Sequence, residues 1–348
     1  MGMTQKELAE QLNVSPMTVS RALRGEPGVS EEVRQAILAA AQDSGYSVES
    51  NYHARLLKRQ NDQQGGLHHV VCVMLPHSQR EDDAHSFFGK ILRGIEEAAN
   101  ELDIEIILVS QELDRLPRVV LRRQVDGLVR FSTPEHDHTA LGQCPVPQVS
   151  VITELPGIDV VTVANYGGGQ RLGEHFCELG HRRLAFIGPD VPIAHKRLAG
   201  LRAALNTCGG RIDDQDARFA PAPDAVNAGR ELVERLIDGQ SREQIAKRFT
   251  GLVVYNDYMA IHAIEALKAH GLRVPEDVSV AGFDGAAPRG MRRQEEQLTT
   301  AAMPLAQLGA ETLRVPGAGL AHREGVRRRL VLDVNLIRGK TTAPPRSR

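Results

Sequence analysis

Residues 4–45 read TQKELAEQLNVSPMTVSRALRGEPGVSEEVRQAILAAAQDSG, a stretch that contains the signals for consecutive helices. The first helix begins at the T-x-x-E capping box that starts at Thr4. Asn13 tolerates the left-handed backbone conformation that a tight corner between two helices requires. Ser15 then caps a second helix whose first residue is Pro16, where a missing N–H costs nothing. The pattern therefore predicts two helices joined by a tight turn.

A third helix is predicted from its cap at Ser30 to Gly45, and all three helices carry apolar residues at the spacing of one inward face. In the second helix this spacing leaves an outer strip of mostly small side chains that ends in one guanidinium. Short side chains permit close approach to the DNA major groove, and the guanidinium of Arg21 can bind O6 and N7 of a guanine. An ordinary three-helix domain with a solvated face is the alternative. The outer strip consists of Pro16, Met17, Thr18, Ser20 and Arg21.

The segment VSPMTVSRALRGEPGVS at 14–30 resembles the headpiece of the LacI/GalR family of bacterial repressors. Eight further motifs follow in the family's order, and the resemblance extends to about Pro345. Because so many ordered motifs rarely match by chance, the chain is identified as a member of this family. The motifs are FF at 87–88 with LRGIE at 92–96, QVDGL at 124–128, GHRRLAFIG at 180–188, RLAG at 197–200, ND at 256–257, VPEDVS at 274–279, GFD at 282–284 and LTT at 298–300.

The resemblance implies an N-terminal all-α helix-turn-helix headpiece followed by an α/β, two-lobed, periplasmic-binding-protein-like core of two doubly wound parallel sheets. Beyond residue 68, strand-like apolar runs alternate with helical stretches, which is typical of βαβ units and parallel sheets. The family's chain crosses between lobes three times, here near 163, 292 and 322. The expected domains are the headpiece 1–48, a hinge helix and linker 49–66, a first lobe 67–162 and 292–322, a second lobe 163–291 and 323–340, and a disordered tail 341–348.

The segment SNYHARLLKR at 50–59 lies where the family has a hinge helix that forms against operator DNA. In the family its leucine inserts into the minor groove, which unstacks one base step and bends the duplex. The preceding GYSVESN at 45–51 is two residues longer than the family's Gly-Tyr-x-Pro-Asn and lacks its proline, and an ordinary linker helix is the alternative. The predicted DNA contacts are Thr4, Ser15, Pro16, Met17, Thr18, Ser20, Arg21, Asn51, Arg55 and Leu57.

The resemblance also places a small-molecule effector between the two lobes, at the carboxyl ends of strands, where parallel sheets bind ligands. Two carboxylates, an amide and a guanidinium suit a sugar or polyol, with phenyl rings covering its apolar side. A purine or nucleoside effector, or control by a partner protein, remains an alternative, and the two aspartates can instead be turn or cap residues. The loop PHSQREDDAHS at 76–86 and the shortened unit at 111–124 depart from the family. The predicted effector contacts are Phe87, Phe88, Arg197, Asn256, Asp257 and Asp284.

Composition and charge indicate whether the chain is a globular, a membrane or a secreted protein. With 348 residues, 41% of them hydrophobic, the chain can bury large cores. Net charge is −2, so DNA binding has to depend on a few well-placed cations and on helix N-termini. No apolar run reaches the roughly 18 residues of a membrane span, and the N-terminus lacks a signal-peptide core. We therefore expect a cytoplasmic protein with no membrane partner rather than a transport-type sugar-binding protein, and the family resemblance implies a homodimer.

Neither catalysis nor a metal site is expected. The cluster His136-Asp137-His138 consists of adjacent loop residues, which rarely converge on one ion, and no nucleophile elbow G-x-S-x-G occurs. His175, Cys177 and His181 are spread over the surface of one predicted helix. With the family resemblance, the sequence thus predicts a transcriptional repressor that binds a pseudo-palindromic operator. It is expected to need no cofactor and not to be an enzyme. Its four cysteines, which form no C-x-x-C pair, are expected to be free thiols: Cys72, Cys144, Cys177 and Cys208.

Overall fold

The structure, a computed structural model, forms two compact units, Met1–His68 and His69–Arg348. The described residues of the first unit form helices, and the second unit contains two sheets whose strands alternate with helices as the sequence predicts. The residues that the structure describes are 5–23, 28–43, 68–76, 87–111, 115–131, 144–221, 225–286, 298–317 and 327–346.

The N-terminal unit contains α1 (Gln5–Gln11), α2 (Pro16–Leu23) and α3 (Glu31–Asp43). Asn13 adopts the left-handed conformation, with φ of 50°, at the corner between α1 and α2. Ser15 caps α2, because the Thr18 backbone N–H donates to Ser15 Oγ at 3.0 Å. The predicted corner and cap are therefore confirmed. The core of this unit consists of Leu8, Ala9, Val19, Ala22, Ile37 and Ala41.

The first lobe is built on a six-stranded parallel sheet with the order β11-β5-β4-β3-β1-β2. Its strands are mostly buried runs of valine, isoleucine and leucine, as expected where helices cover a parallel sheet. The helix between β2 and β3 has only four residues, which confirms the shortened unit. In chain order the elements are β1 (Val70–Pro76), α4 (Gly89–Glu101), β2 (Glu105–Gln111), α5 (Arg118–Leu121), β3 (Gly127–Phe131), β4 (Gln148–Val151), β5 (Asp159–Val163) and, later, α11 (Leu305–Gly317) and β11 (Arg329–Leu332).

The second lobe repeats this plan with the order β12-β10-β9-β8-β6-β7, and only the β10–β12 pair is antiparallel. The two sheets confirm the predicted doubly wound, two-lobed class. Its elements are α6 (Asn165–Glu178), β6 (Leu184–Pro189), α7 (Pro192–Thr207), a 3₁₀ turn (Asp214–Asp216), β7 (Ala217–Ala220), α8 (Ala225–Ile237), α9 (Arg242–Arg248), β8 (Gly251–Val254), α10 (Asp257–Ala269), β9 (Ser279–Asp284), β10 (Thr299–Ala302) and β12 (Asn335–Ile337).

The first crossing between lobes follows β5, close to the predicted residue 163. The predicted crossings near 292 and 322 are wrong. Strand β10 pairs with β9 in the second sheet before the chain crosses, so the second crossing lies between β10 and α11. Helix α11 packs tightly on α4, since a Cβ added at Gly94 would lie 1.8 Å from Ala306 O. Strand β11 pairs with β5, and the third crossing therefore lies between β11 and β12.

The chain after residue 340 was expected to be disordered, and for residues 341–346 this is wrong. The Val280 backbone N–H donates to Thr341 O at 2.7 Å, and Thr341 Oγ1 donates back to Val280 O at 2.7 Å. Ser279 Oγ donates to Ala343 O at 3.0 Å. This segment follows the start of β9 because its polar groups satisfy backbone and hydroxyl groups there. Among the described residues, no helix combines the length and apolar character that crossing a membrane requires.

Two of the four expected free thiols are bonded to each other. Cys177, in the last turn of α6, and Cys208, directly after α7, form a disulfide with Cα atoms 6.1 Å apart. The expectation of four free thiols is wrong for this pair, because its members are 31 residues apart and only the packing of two helices brings them together. Cys72 and Cys144 are free.

Candidate effector site and DNA-reading face

The candidate effector site lies where strands of the second lobe end. Asn256 follows β8 and Asp284 ends β9, so the parallel sheet brings both to its carboxyl edge. Asn256 is the N-cap of α10, and its Oδ1 accepts a hydrogen bond from the Met259 N–H at 2.8 Å. The side-chain oxygen of Asn256 is thus committed to the helix cap, which is the ordinary role of an asparagine at this position.

Asp257 is 1% exposed and holds the turn that follows β9. Its Oδ1 accepts from Thr300 Oγ1 at 2.5 Å, and its Oδ2 accepts from the Ala286 N–H at 2.8 Å. Burial, and then the charge of Asp284, raises the pKa of Asp257 to about 8. The prediction that Asp257 contacts the effector does not fit this position, because both oxygens are buried and occupied.

Arg197 on α7 is 4% exposed and is held from several directions. Its Nε donates to Asn165 Oδ1 at 2.9 Å, and its Nη1 donates to Tyr255 O at 2.5 Å. The guanidinium lies 3.6 Å from the centre of the Phe283 ring and 4.6 Å from that of Tyr255. Its orientation is therefore set by the protein before any ligand arrives.

Asp284 faces this guanidinium, with Nη1 of Arg197 3.3 Å from its Oδ1. The contact is an ion pair without hydrogen-bond alignment, since Asp284 Oδ1 has no hydrogen-bond partner among the described residues. Burial raises the pKa of Asp284 to about 7, and the charge of Arg197 opposes that rise. Asp284 also has a φ of 107°, which is costly for a residue other than glycine and recurs at ligand sites. The site thus holds a buried carboxylate oxygen that is ion-paired with Arg197 but accepts no well-aligned hydrogen bond from a described residue.

The first lobe contributes to the same cleft through the start of α4. Phe87 and Phe88 directly precede this helix, with ring centres 5.0 Å apart, and Phe88 packs edge-on against Phe131 at 5.2 Å. Both phenylalanines are partly buried. Lys90 Nζ donates to Gly285 O at 2.8 Å, beside Asp284. The structure therefore brings the start of α4 to the Asp284 turn across the cleft.

A second contact between lobes lies on the other side of Arg197. Lys196 Nζ of α7 donates to Glu154 Oε1 of the first lobe at 3.0 Å, and Arg329 binds the same oxygen at 3.1 Å. The hydrogen bond from Lys196, and to a smaller extent that from Arg329, holds the pKa of Glu154 below its usual value. Polar contacts thus join the lobes beside both members of the Arg197–Asp284 pair, at Lys196 next to Arg197 and at Gly285 next to Asp284.

On the N-terminal unit, the described residues of the predicted outer strip of α2 are exposed, except for Thr18, which is half-buried. Met17 is 59% exposed and Arg21 is also exposed, whereas Val19 and Ala22 are buried. Ser15 Oγ, besides capping α2, lies 2.8 Å from Thr18 Oγ1. The side chains of Pro16 and Ser20 are not described. Thr4, Asn51, Arg55 and Leu57 lie outside the described residues, so their contacts with DNA stay predictions.

The side chains of His175 and His181, which were weighed as metal ligands, bond to different residues of the second lobe. His175 Nε2 lies 2.9 Å from Thr342 Oγ1, and His181 bonds Thr250 and Ala343 through its two ring nitrogens. Burial lowers the pKa of His181 to about 4. No group of three metal-binding side chains occurs in the described part of the chain, and residues 136–138 lie outside it.

Comparison with known proteins matches both units. The model of bacterial regulatory proteins of the lacI family matches residues 4–48, and that of the periplasmic binding protein-like domain matches residues 174–342. The chain belongs to the LacI family of bacterial regulators. Relatives include the transcriptional regulator DegA of Bacillus subtilis, 27% identical over 97% of both chains, and the transcriptional repressor CytR of Escherichia coli, 28% identical over 98% of this chain and 97% of CytR.

Among solved structures, the complex of the regulator CelR with cellobiose shares the fold, with a TM-score of 0.65, 24% identity and coverage of 97% of this chain and 99% of CelR. As a LacI-family member the protein is a DNA-binding transcriptional regulator with a ligand-binding domain. Its relatives are regulators and not enzymes, which confirms the expectation that it is not an enzyme.

Several residues of this LacI-family site were not anticipated. Asn165 and Tyr255 orient Arg197, and Lys90 spans the cleft. His195 stacks on Phe219 with ring centres 4.5 Å apart and has its Nε2 2.7 Å from Asp190 Oδ1. For Asn165 and Tyr255 the sequence offered a signal of position, since Asn165 follows strand β5 and Tyr255 directly precedes the Asn256-Asp257 pair. Only the folded sheet brings His195 and Phe219 together.

Proposed function

We propose that the protein is a repressor that binds a pseudo-palindromic operator as a homodimer in the cytoplasm. A small hydroxyl-rich molecule, a sugar or a polyol, controls its affinity for the operator from the cleft between the lobes. The observation that carries the effector proposal is Asp284, a carboxylate at a strand end, held beside an oriented guanidinium and with one oxygen lacking a hydrogen-bond partner among the described residues.

A ligand hydroxyl would satisfy this acceptor. Burying a carboxylate oxygen without a well-aligned hydrogen bond is costly, so a donor that reaches Asp284 gains more than the same donor at a solvated site. The rings of Phe87 and Phe88, which precede α4 on the first lobe, supply an apolar surface for the carbon face of a sugar. The similarity to CelR, which has been solved with cellobiose, supports a sugar over other classes.

The second candidate effector is a purine or a nucleoside. The specific observation in its favour is the flat, partly exposed pair formed by His195 and Phe219, since planar rings accept a stacked base. Asp190, which fixes the His195 ring through Nε2, would set its orientation toward such a ligand. A sugar would therefore contact Asp284, whereas a nucleoside would contact the His195–Phe219 pair of the same lobe.

Thermal-shift measurements with a panel of sugars, polyols and nucleosides test the effector proposal. A sugar or polyol should raise the melting temperature of the wild-type protein, and Asp284→Asn should abolish the shift. Asp214→Asn, at a carboxylate that is 99% exposed in the same lobe, is the matched control and should keep it. A shift with nucleosides alone would favour the second candidate. No shift with any compound would favour control by a partner protein.

The DNA-binding face is tested separately. Selection of duplexes from a random library by the full-length protein should yield a pseudo-palindromic site, and Arg21→Ala should lose affinity for it. Loss of one bidentate contact to guanine corresponds to roughly 1–3 kcal/mol. Binding to a scrambled duplex should fall much less. Equal losses on both duplexes would mean that Arg21 contacts phosphate only.

A further inference from the structure

The disulfide of the second lobe joins two helices whose spacing is fixed without it. A Cβ added at Gly169 would lie 2.0 Å from Arg197 O, and one added at Gly200 would lie 1.9 Å from Tyr166 O. The backbones of α6 and α7 therefore touch along their length, at positions that admit only glycine. Because this packing does not depend on the S–S bond, Cys177 and Cys208 stay within bonding reach of each other as thiols.

The surroundings of the two sulfurs also suit both oxidation states. Sγ of Cys177 lies 3.6 Å from Ala204 O, and Sγ of Cys208 lies 3.3 Å from Leu205 O. A disulfide has no S–H to donate to these carbonyls, whereas each thiol of the reduced pair would have an acceptor in place. Both cysteines are partly exposed, so a small oxidant or reductant can reach them. Neither state requires the helices to move.

The two free cysteines provide the contrast within the same molecule. Cys72 is fully buried in β1, and burial raises the pKa of its thiol to about 11. Burial also raises the pKa of the Cys144 thiol. These thiols are poor nucleophiles at neutral pH, because the thiolate is the species that reacts. Any redox chemistry in the described residues is therefore expected at the α6–α7 pair rather than in the first lobe.

We propose that Cys177 and Cys208 form a reversible thiol–disulfide site that is oxidised by a peroxide and reduced by a dithiol. One thiolate attacks a peroxide oxygen, the O–O bond breaks, and the leaving hydroxide takes up a proton as water. The resulting sulfenic acid is attacked by the second sulfur, the S–S bond forms and a second water leaves. Two thiols thus give two electrons to one hydrogen peroxide. A dithiol reverses the step by exchange, and it ends as a disulfide itself.

Oxidation would constrain the part of the lobe that carries Arg197. The disulfide closes the chain from residue 177 to residue 208, which contains β6 and all of α7. Within it, Arg197 bonds Asn165 at the start of α6, and Lys196 bonds Glu154 of the first lobe. Closing a loop of this length restricts the unfolded chain and raises the melting temperature, here by roughly 5 °C. Amide exchange in α7 should slow at the same time.

A peptide map of the full-length protein tests the site directly. The protein is reduced with dithiothreitol, desalted, treated with increasing hydrogen peroxide, blocked with a maleimide and digested with trypsin without reduction. Peptides 172–182 and 203–211 should appear as one cross-linked species that accumulates with peroxide and disappears when dithiothreitol is added to the native protein. The melting temperature should rise and fall with the cross-link.

Two variants locate the effect. Cys208→Ser should lose both the cross-link and the thermal shift, and Cys144→Ser should keep both. Oxidation to sulfinic acid without a cross-link, a cross-link that includes Cys72 or Cys144, or a bond that dithiothreitol reduces only after unfolding would overturn the proposal. The peptide map of the wild-type protein decides these outcomes even if a variant folds poorly.

Discussion

The two sides of the cleft differ in how firmly their residues are held. On the second lobe, Arg197 and Asp257 are almost fully buried, and each makes at least two hydrogen bonds to its own lobe. On the first lobe, Lys90 and Glu154 are exposed and reach across the cleft, Lys90 to Gly285 and Glu154 to Lys196. The polar recognition surface is therefore preorganised on the second lobe, and the first lobe adds exposed side chains that reach toward it. Substitutions in the second lobe should therefore lower the free energy of unfolding, whereas substitutions of the exposed first-lobe residues should not.

The largest effect is expected where α6 and α7 touch. Gly200→Ala places a Cβ 1.9 Å from Tyr166 O, so the two helices must separate. Their separation also weakens the hydrogen bond between Arg197 and Asn165. Overpacking of this kind costs roughly 1–3 kcal/mol or more in the free energy of unfolding, which urea titration measures. Gly167→Ala is the matched control, because its Cβ meets only Ala164 Cβ at 3.5 Å and alanine favours the helix. Equal stability of both variants would show that the contact does not hold the lobe together.

A second effect is expected from the buried carboxylates, in the way the free energy of unfolding changes with pH. The pKa is raised to about 8 at Asp257 and to about 7 at Asp284, whereas both are 3.8 in the unfolded chain. The native state therefore keeps protons that the unfolded chain has released between about pH 4 and pH 8, and the free energy of unfolding falls as pH rises through this window. Asp257→Asn should make that fall less steep, whereas the exposed control Asp214→Asn should not. An unchanged slope would mean that Asp257 does not titrate in this window.

The smallest effect on stability is expected on the first lobe. Lys90→Met removes an exposed hydrogen bond to Gly285, which contributes no more than about 1 kcal/mol. We expect little change in the free energy of unfolding but a larger radius of gyration in small-angle scattering, because a polar contact between the lobes is lost. Lys268→Met, at an exposed lysine near the end of α10, is the control and should leave the radius unchanged. A variant as destabilised as Gly200→Ala would remove the distinction between the two sides.

Local chemistry made much of this architecture predictable. Asn13 and Ser15 are residue types that corners and caps select, and the alternation of strand and helix patterns predicted two parallel sheets, with Asp284 at a strand end. Sequence could not distinguish Asp257 from Asp284, because the hydrogen bond that occupies Asp257 Oδ1 comes from Thr300, 43 residues away. The Cys177–Cys208 bond and the docking of residues 341–346 likewise depend on partners that only the assembled second lobe provides.

The most direct test of the account joins its two sites in one titration. Fluorescence anisotropy of the selected operator duplex is measured with wild-type protein and with Asp284→Asn, each with and without the best compound of the effector panel. A ligand changes operator affinity only through its unequal binding to two lobe arrangements. We predict that the compound shifts the wild-type midpoint at least about tenfold, which corresponds to about 1.4 kcal/mol of coupling. The variant should bind the operator as the ligand-free wild type does and show no shift. A variant that responds with the wild-type midpoint would contradict the account, because the effector would then act from another place.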